Sequence, residues 1–197
     1  MSMQRDNGKH SLILDAAIVE IACSGYHYTT VARIARRAGV ADGTIYLYFK
    51  SKQDVLVAVF DRAMDRFISQ GILEMNPGDD AVTRISDIVR LHLEQVGENR
   101  DLAVILQVEL RHSLNFLDVF SRTRLRDYLE IITGVVVQGQ NEGVFRPDMD
   151  PLLTARMIFG VLDQMATDWV LSKRDTPLAT RADEVTAFVL GALKGVR

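Results

Sequence analysis

The segment 31–48, VARIARRAGVADGTIYLY, limits what this chain can fold into more than any other stretch of it. Val31, Ile34, Ala35 and Ala38 fall at i, i+3, i+4 and i+7, which makes an apolar stripe on a helix of about two turns. Gly39 follows at once, where a tight turn between two steeply crossed helices needs a backbone free of side-chain constraint. A second short helix is expected over 42–48, with Val40, Ile45 and Phe49 closing a small core behind it. Asp42, Gly43, Thr44, Tyr46, Leu47 and Tyr48 are then shared between solvent and whatever this helix lies against. Gly43 permits close approach of another backbone, and Thr44 and Tyr46 have the reach to meet phosphates or base edges.

Helical spacing continues through the rest of the chain, with no repeats and no alternating runs of strand length. A first helix is expected over 9–24, with Leu12, Ala16, Val19 and Cys23 on its inner face and Gly25 ending it. Ser51 with Asp54 opens a long helix over 52–75, and Pro77-Gly78 breaks it. Further helices are expected over 81–98, 101–112 and 115–142, the last closed by Gly143. Asp150-Pro151 opens another over 151–173, and Thr180 with Asp183 starts the final one to Lys194. The chain is therefore expected to be all-α, with about nine helices. The expected division is a helix-turn-helix domain over 1–52 and a larger domain over 53–197.

Charge supports that division. Residues 1–53 hold seven Lys or Arg against four acids, a balance of +3; with −3 overall, the remainder carries −6. A small basic head on an acidic body suits a head that seeks phosphates. The single cysteine, Cys23, allows no internal disulfide and suits a reducing compartment. Charged residues interrupt every apolar run, and MSMQRDNGKH has no signal-peptide core, so a soluble cytoplasmic protein without a membrane partner is expected. The four histidines (His10, His27, His92, His112) have no metal-ligand spacing, and no glycine-rich phosphate loop is present. No enzyme, no metal and no cofactor are expected.

The head resembles the TetR family of repressors. Thr30, Ile34-Ala35, Ala38-Gly39-Val40, Gly43-Thr44-Ile45-Tyr46, Tyr48-Phe49 and Ser51-Lys52 carry the resemblance. It implies that the 42–48 helix enters the major groove of double-stranded operator DNA, and that Thr30, Thr44, Tyr48 and Lys52 grip phosphates. With Arg33, Asp42, Gly43 and Tyr46 these are the candidate DNA-binding residues. It also implies a homodimer built on the last two helices, with Leu162, Trp169, Phe188 and Val189 at the interface. Two heads about one DNA turn apart would read a pseudo-palindrome.

The body resembles a narrower branch, the FadR-type fatty-acid-degradation repressors that leave DNA on binding long-chain acyl-CoA. Leu106-Gln107-Val108-Glu109-Leu110-Arg111, Ser113, Tyr128-Leu129, Gly139, Gly143, Arg156-Met157-Ile158-Phe159-Gly160, Asp163, Thr167 and Trp169-Val170-Leu171 carry it. An acyl chain needs an apolar tunnel, for which Leu106, Leu110, Leu114, Phe159 and Met165 are candidates, with Gly160 leaving room in mid-helix. The anionic end needs cations, for which Arg111, Arg122, Arg124, Arg126 and Arg156 are available. Glu109 and Asp163 are acids within the same segment, and they keep a second reading open: a sensor of aromatic or cationic drugs controlling an efflux pump.

Overall fold

A computed structural model describes residues 2–74, 76, 78–109, 124–172 and 176–194, and contains nine α-helices and no strand among them. The chain divides into two compact units. One holds the chain through Ala63 together with the segment beginning at Asp101; the other holds Met64–Arg100 and the C-terminal part.

In the first unit, α1 (Ser2–Ser24) packs on α2 (Val31–Ala38), and α2 on α3 (Asp42–Tyr46). The inner face of α1 is Ile13, Ala17 and Ile21, all wholly buried, with Leu14 beside them. The stripe expected from the sequence is displaced: Leu12 is 54% exposed and Cys23 is exposed. The helix is apolar over so wide an arc that periodicity alone picks the wrong edge of it. Gly25, at φ +78°, ends α1 as expected. Thr29 is buried in the turn that follows, its hydroxyl donating to the carbonyls of Gly25 (2.9 Å) and Glu20 (3.2 Å). Thr30 caps α2 by accepting the Arg33 N–H, and Gly39, at φ +67°, closes it. Ile34, Ala35, Ile45 and Phe49 form the small core, each larger side chain contributing about 1.5–3 kcal/mol by burial. The α3 helix ends at Tyr46, and Leu47 and Tyr48 continue as a turn. The long helix α4 (Lys52–Glu74) starts on the Ser51 hydroxyl, which accepts the Asp54 N–H.

In the second unit, α5 (Ala81–Gly97) is capped by Asp80. A short α6 (Arg100–Val104) follows and passes into a π-helical segment, Ile105–Glu109, where one continuous α-helix was expected; that segment and α6 from Asp101 on belong to the first unit. The expected helix ends at 112 and 115 lie outside the described residues. Helix α7 (Leu125–Asn141) packs on α5 and on α8 (Pro151–Leu171). Asp150 caps α8 through the Leu153 N–H (2.7 Å), with Pro151 in its first turn, as the sequence indicates. The last helix, α9 (Ala182–Lys194), is entered through a 3-10 turn, Leu178–Arg181. Thr180 does not cap α9: its hydroxyl donates to the Pro177 carbonyl. The core of this unit is Ile85, Val89 and Leu93 from α5, Ile132 and Val135 from α7, Ile158 and Leu162 from α8, and Val189 and Leu193 from α9. Among the described residues no helix is long and apolar enough to cross a membrane.

Candidate nucleic-acid interface and effector cavity

The head presents Asp42, Gly43, Tyr46 and Leu47 outward; Tyr46 is 58% and Leu47 81% exposed. Leaving a tyrosine ring and a leucine side by side in water has no value to the fold itself, so this edge is shaped for a partner. A side chain built on Gly43 would meet nothing within 4 Å, which leaves the surface of α3 open for close approach. Thr44 is half-buried. Tyr48 is half-buried too, edge-on to His10 at 6.0 Å, beside the core ring of Phe49.

Two further side chains shape this face, and neither was singled out in the sequence. Tyr28, just before α2, is 80% exposed. Glu20, on α1, is buried and binds two arginines of α2: Arg37 Nε at 2.7 Å and Arg33 Nη2 at 2.9 Å. The hydrogen bond from Arg37 holds the Glu20 carboxyl below its usual range, against a burial that pushes it up. Arg33 also donates to Ser24 Oγ (2.8 Å), so it is oriented by α1. The seventeen-residue separation of Glu20 and Arg37 leaves no local signal of the pair.

Lys52 departs from expectation. Its ammonium donates to the carbonyls of Tyr26 (2.6 Å), Thr29 (2.8 Å) and His27 (3.4 Å), and lies 4.2 Å over the Tyr26 ring. An ammonium has three N–H donors, and three carbonyls take them. Lys52 is therefore a clamp on the α1–α2 turn rather than an open phosphate ligand.

The second unit contains a buried polar cluster in an apolar layer. Tyr128 Oη of α7 lies 3.0 Å from His92 Nδ1 of α5. Phe67 of α4 stacks on the His92 ring at 5.1 Å and 8°, and Phe159 of α8 meets His92 and Tyr128 edge-on. Phe67, Ile88, Leu91, His92, Gln95 and Tyr128 surround a cavity of about 10 Å³. Gln95 is buried, and its Oε1 finds no hydrogen-bond partner among the described residues. Burial pushes the His92 pKa down to about 4 and holds the Tyr128 phenol above its usual value. His92 is thus neutral in the folded state and ordinary in the unfolded one. Its contribution to stability is complete above about pH 6.5 and is lost as pH falls from there towards 4. Between pH 7 and pH 5, His92→Gln should lose about 2 kcal/mol less stability than the parent chain, at about 1.4 kcal/mol per pH unit below 6.5. Thermal melts at the two pH values check this, and equal losses would clear His92.

Among the described residues, the expected effector positions are split between two places, with Gly160 and Met165 sharing the rim of a depression between α8 and α9. Phe159 belongs to the cluster. Gly160, one residue on, is turned about 100° away and exposed, with open space around it, so it makes no room in the core. Met165 faces an open depression between α8 and α9, Arg156 is exposed, and Asp163 and Leu106 are half-buried. Arg124 pairs with Asp65 and Asp127, and Arg126 with Glu130, on the surface. Leu110, Arg111, Leu114, Ser113 and Arg122 lie outside the described residues, as does the side chain of Glu109.

The depression, about 1080 Å³, is lined by Met157, Val161, Met165, Trp169 and Phe188 among others, with Phe188 65% and Met157 48% exposed. Trp169 donates its indole N–H to the Thr176 carbonyl, and its ring lies 4.8 Å from the Arg100 guanidinium. Two expected interface residues are excluded from this face: Leu162 (0% exposed) and Val189 (3%) are already spent in the protomer's own core.

A two-helix reading head with an outward second helix, joined to an all-helical body with a buried, nearly closed cavity, defines a ligand-responsive DNA-binding regulator. Residues 13–59 match the family described as bacterial regulatory proteins, tetR family, and residues 60–192 match the YsiA-like protein C-terminal region. The chain belongs to the TetR family of transcriptional regulators. It is 33% identical over 191 residues to the fatty acid metabolism regulator protein of Bacillus subtilis, covering 97% of this chain and 98% of that protein. Its structure is similar to that of the fatty acid degradation regulator FadR from Bacillus halodurans (TM-score 0.89, 36% identity, 95% of this chain and 97% of that one). It is also similar to FadR from Bacillus subtilis in complex with stearoyl-CoA (TM-score 0.87, 33% identity, 93% of this chain and 98% of that one). These relatives are regulators, not enzymes.

Proposed function

We propose that this protein represses fatty-acid metabolism genes by binding a pseudo-palindromic operator as a cytoplasmic homodimer, and that a long-chain acyl-CoA releases it. The observation that carries the reading is the Phe67–His92–Tyr128–Phe159 cluster: an uncharged pocket whose cavity, about 10 Å³, is too small for a chain until the helices around it move. Support comes also from end-to-end similarity to a FadR that was crystallised with stearoyl-CoA. The cavity wall carries no carboxylate among the described residues, which disfavours a cationic drug. Residues 1–52 form the DNA-binding domain and 53–197 the effector and dimerisation domain. Within the head, Asp42, Gly43, Thr44 and Tyr46 face the groove, and Thr30, Arg33 and Tyr48 lie towards phosphates.

Helix α4 runs unbroken from Lys52 to Glu74 and carries both the Lys52 clamp and Phe67. In this reading a ligand entering beside Phe67 shifts that helix and favours the state with the weaker grip on DNA. Titrating the full chain calorimetrically with palmitoyl-CoA below its micelle concentration, with free CoA as control, tests the reading. Saturable micromolar binding that also dissociates an operator complex is expected. Tight binding with unchanged operator affinity would sink it, because a ligand equally good for both states shifts neither.

The α8–α9 face is the dimer interface in this reading, built on Met157, Met165, Trp169 and Phe188. Phe188→Asp should yield monomers of unchanged helix content by sedimentation and lose operator binding. A dimer that survives the charge would place the interface elsewhere.

A further inference from the structure

His92 and Gln95 are three residues apart on α5, so both project from one face of that helix, and Tyr128 reaches the same cavity from α7. Every polar group on the described cavity wall is uncharged at neutral pH: an imidazole, a phenol and an amide. Nothing there could neutralise a carboxylate, which would be stripped of water without a counter-charge. A carbonyl oxygen needs only a donor. The His92–Tyr128 pair can supply one: with the imidazole proton on Nδ1, the ring donates to the phenol oxygen, and the phenol proton is free for a ligand. Gln95 Oε1 has the opposite requirement, for it is a buried acceptor with no donor among the described residues. One wall therefore offers a donor and the other an acceptor, with Phe67 and Phe159 supplying apolar surface beside them.

An acyl thioester of coenzyme A carries that pattern where the acyl chain joins the coenzyme. Its carbonyl oxygen accepts, and the first amide N–H of the pantetheine arm, three bonds beyond the sulfur, donates. We propose that the His92–Gln95–Tyr128 cavity holds the thioester carbonyl and first pantetheine amide of the effector, and that it makes the protein blind to the free carboxylic acid. This rests on the acyl-CoA reading above and adds the point of recognition to it.

The experiment compares palmitoyl-CoA, its thioether analogue S-hexadecyl-CoA, which lacks the carbonyl oxygen, and free palmitate, on the full chain and on Tyr128→Phe and Gln95→Met. The parent chain should bind the thioester about tenfold more tightly than the thioether, one hydrogen bond's worth, and palmitate at least a hundredfold more weakly. Tyr128→Phe should erase the thioester's advantage and leave the thioether unchanged. Gln95→Met should weaken both CoA ligands alike, since both keep the amide. The readout is the ratio between two ligands on one folded variant, so a general loss of stability cannot mimic it. If Tyr128→Phe weakens both CoA ligands equally, or neither, the assignment is overturned while the acyl-CoA reading stands. If palmitoyl-CoA does not bind the parent chain, both fall.

Discussion

Gly139→Ala should lower the melting temperature by roughly 5–10 °C, although alanine is the better helix former. Gly139 is buried in α7, and a Cβ there would run into the Cδ2, Cε2 and Cγ atoms of the Phe145 ring. The ring cannot retreat, because it is itself buried and its own N–H and that of Val144 both donate to the Gly139 carbonyl at 3.0 Å. Gly143, at φ +71°, sets the turn that folds Phe145 back over the helix. Two effects oppose each other here. Helix propensity favours alanine by about 1 kcal/mol, whereas forcing a methyl into a closed contact costs about 1–3 kcal/mol and sometimes more. With the contact this short the steric term wins, by about 2–3 kcal/mol, and a chain of this length loses about 2–4 °C per kcal/mol. Adding Phe145→Leu to Gly139→Ala should recover part of the loss. An unchanged or higher melting temperature for the alanine variant would show that Phe145 does not pack on Gly139.

Lys52→Met should weaken operator binding about tenfold or more without changing its dependence on salt. A lysine on a phosphate releases a counterion, and removing it flattens the slope of log K against log salt by about 0.9. The Lys52 ammonium is instead committed to the carbonyls of Tyr26, His27 and Thr29, and burial lowers its pKa from the usual lysine value. Methionine keeps the stem and leaves three carbonyls without their donor, so the turn that positions Thr29, Thr30 and the start of α2 loosens. The DNA-facing surface is then held less firmly, and affinity falls through order lost in the free protein. Lys52→Arg separates the possibilities further: a planar fork does not serve three converging carbonyls, but it serves a phosphate well. Restoration by arginine, or a slope flatter by about one, would return Lys52 to the phosphate-contacting set.

The head was legible in the sequence because its signals are local. Thr30 capping α2, Gly39 closing it, and Ile34 and Ile45 meeting behind the turn are separated by a handful of residues. Asp150-Pro151 opening α8 and Gly143 ending the previous helical stretch were legible for the same reason. The proposed effector site was not. Of the residues in the cluster and around its cavity, Phe159 was singled out for the pocket, Tyr128 only through resemblance and His92 only as lacking metal-ligand spacing, while Phe67 and Gln95 went unremarked. Their chemistry arises from packing α4, α5, α7 and α8 together, and His92 and Tyr128 are thirty-six residues apart.

What the sequence determined by itself is therefore where helices begin and end, that a basic two-helix head precedes an acidic helical body, and which family this chain belongs to. Capping, proline, positive-φ glycine and charge all act within a few bonds of the residue concerned. Only the tertiary structure decided which way each helix faces. Helix α8 is apolar nearly all round, so its pattern could not say that Leu162 points into the protomer while Met157 and Trp169 line the open face. Lys52 likewise carries the same charge whether it meets a phosphate or three carbonyls, and that choice depends on where a turn twenty-three to twenty-six residues earlier is held in space.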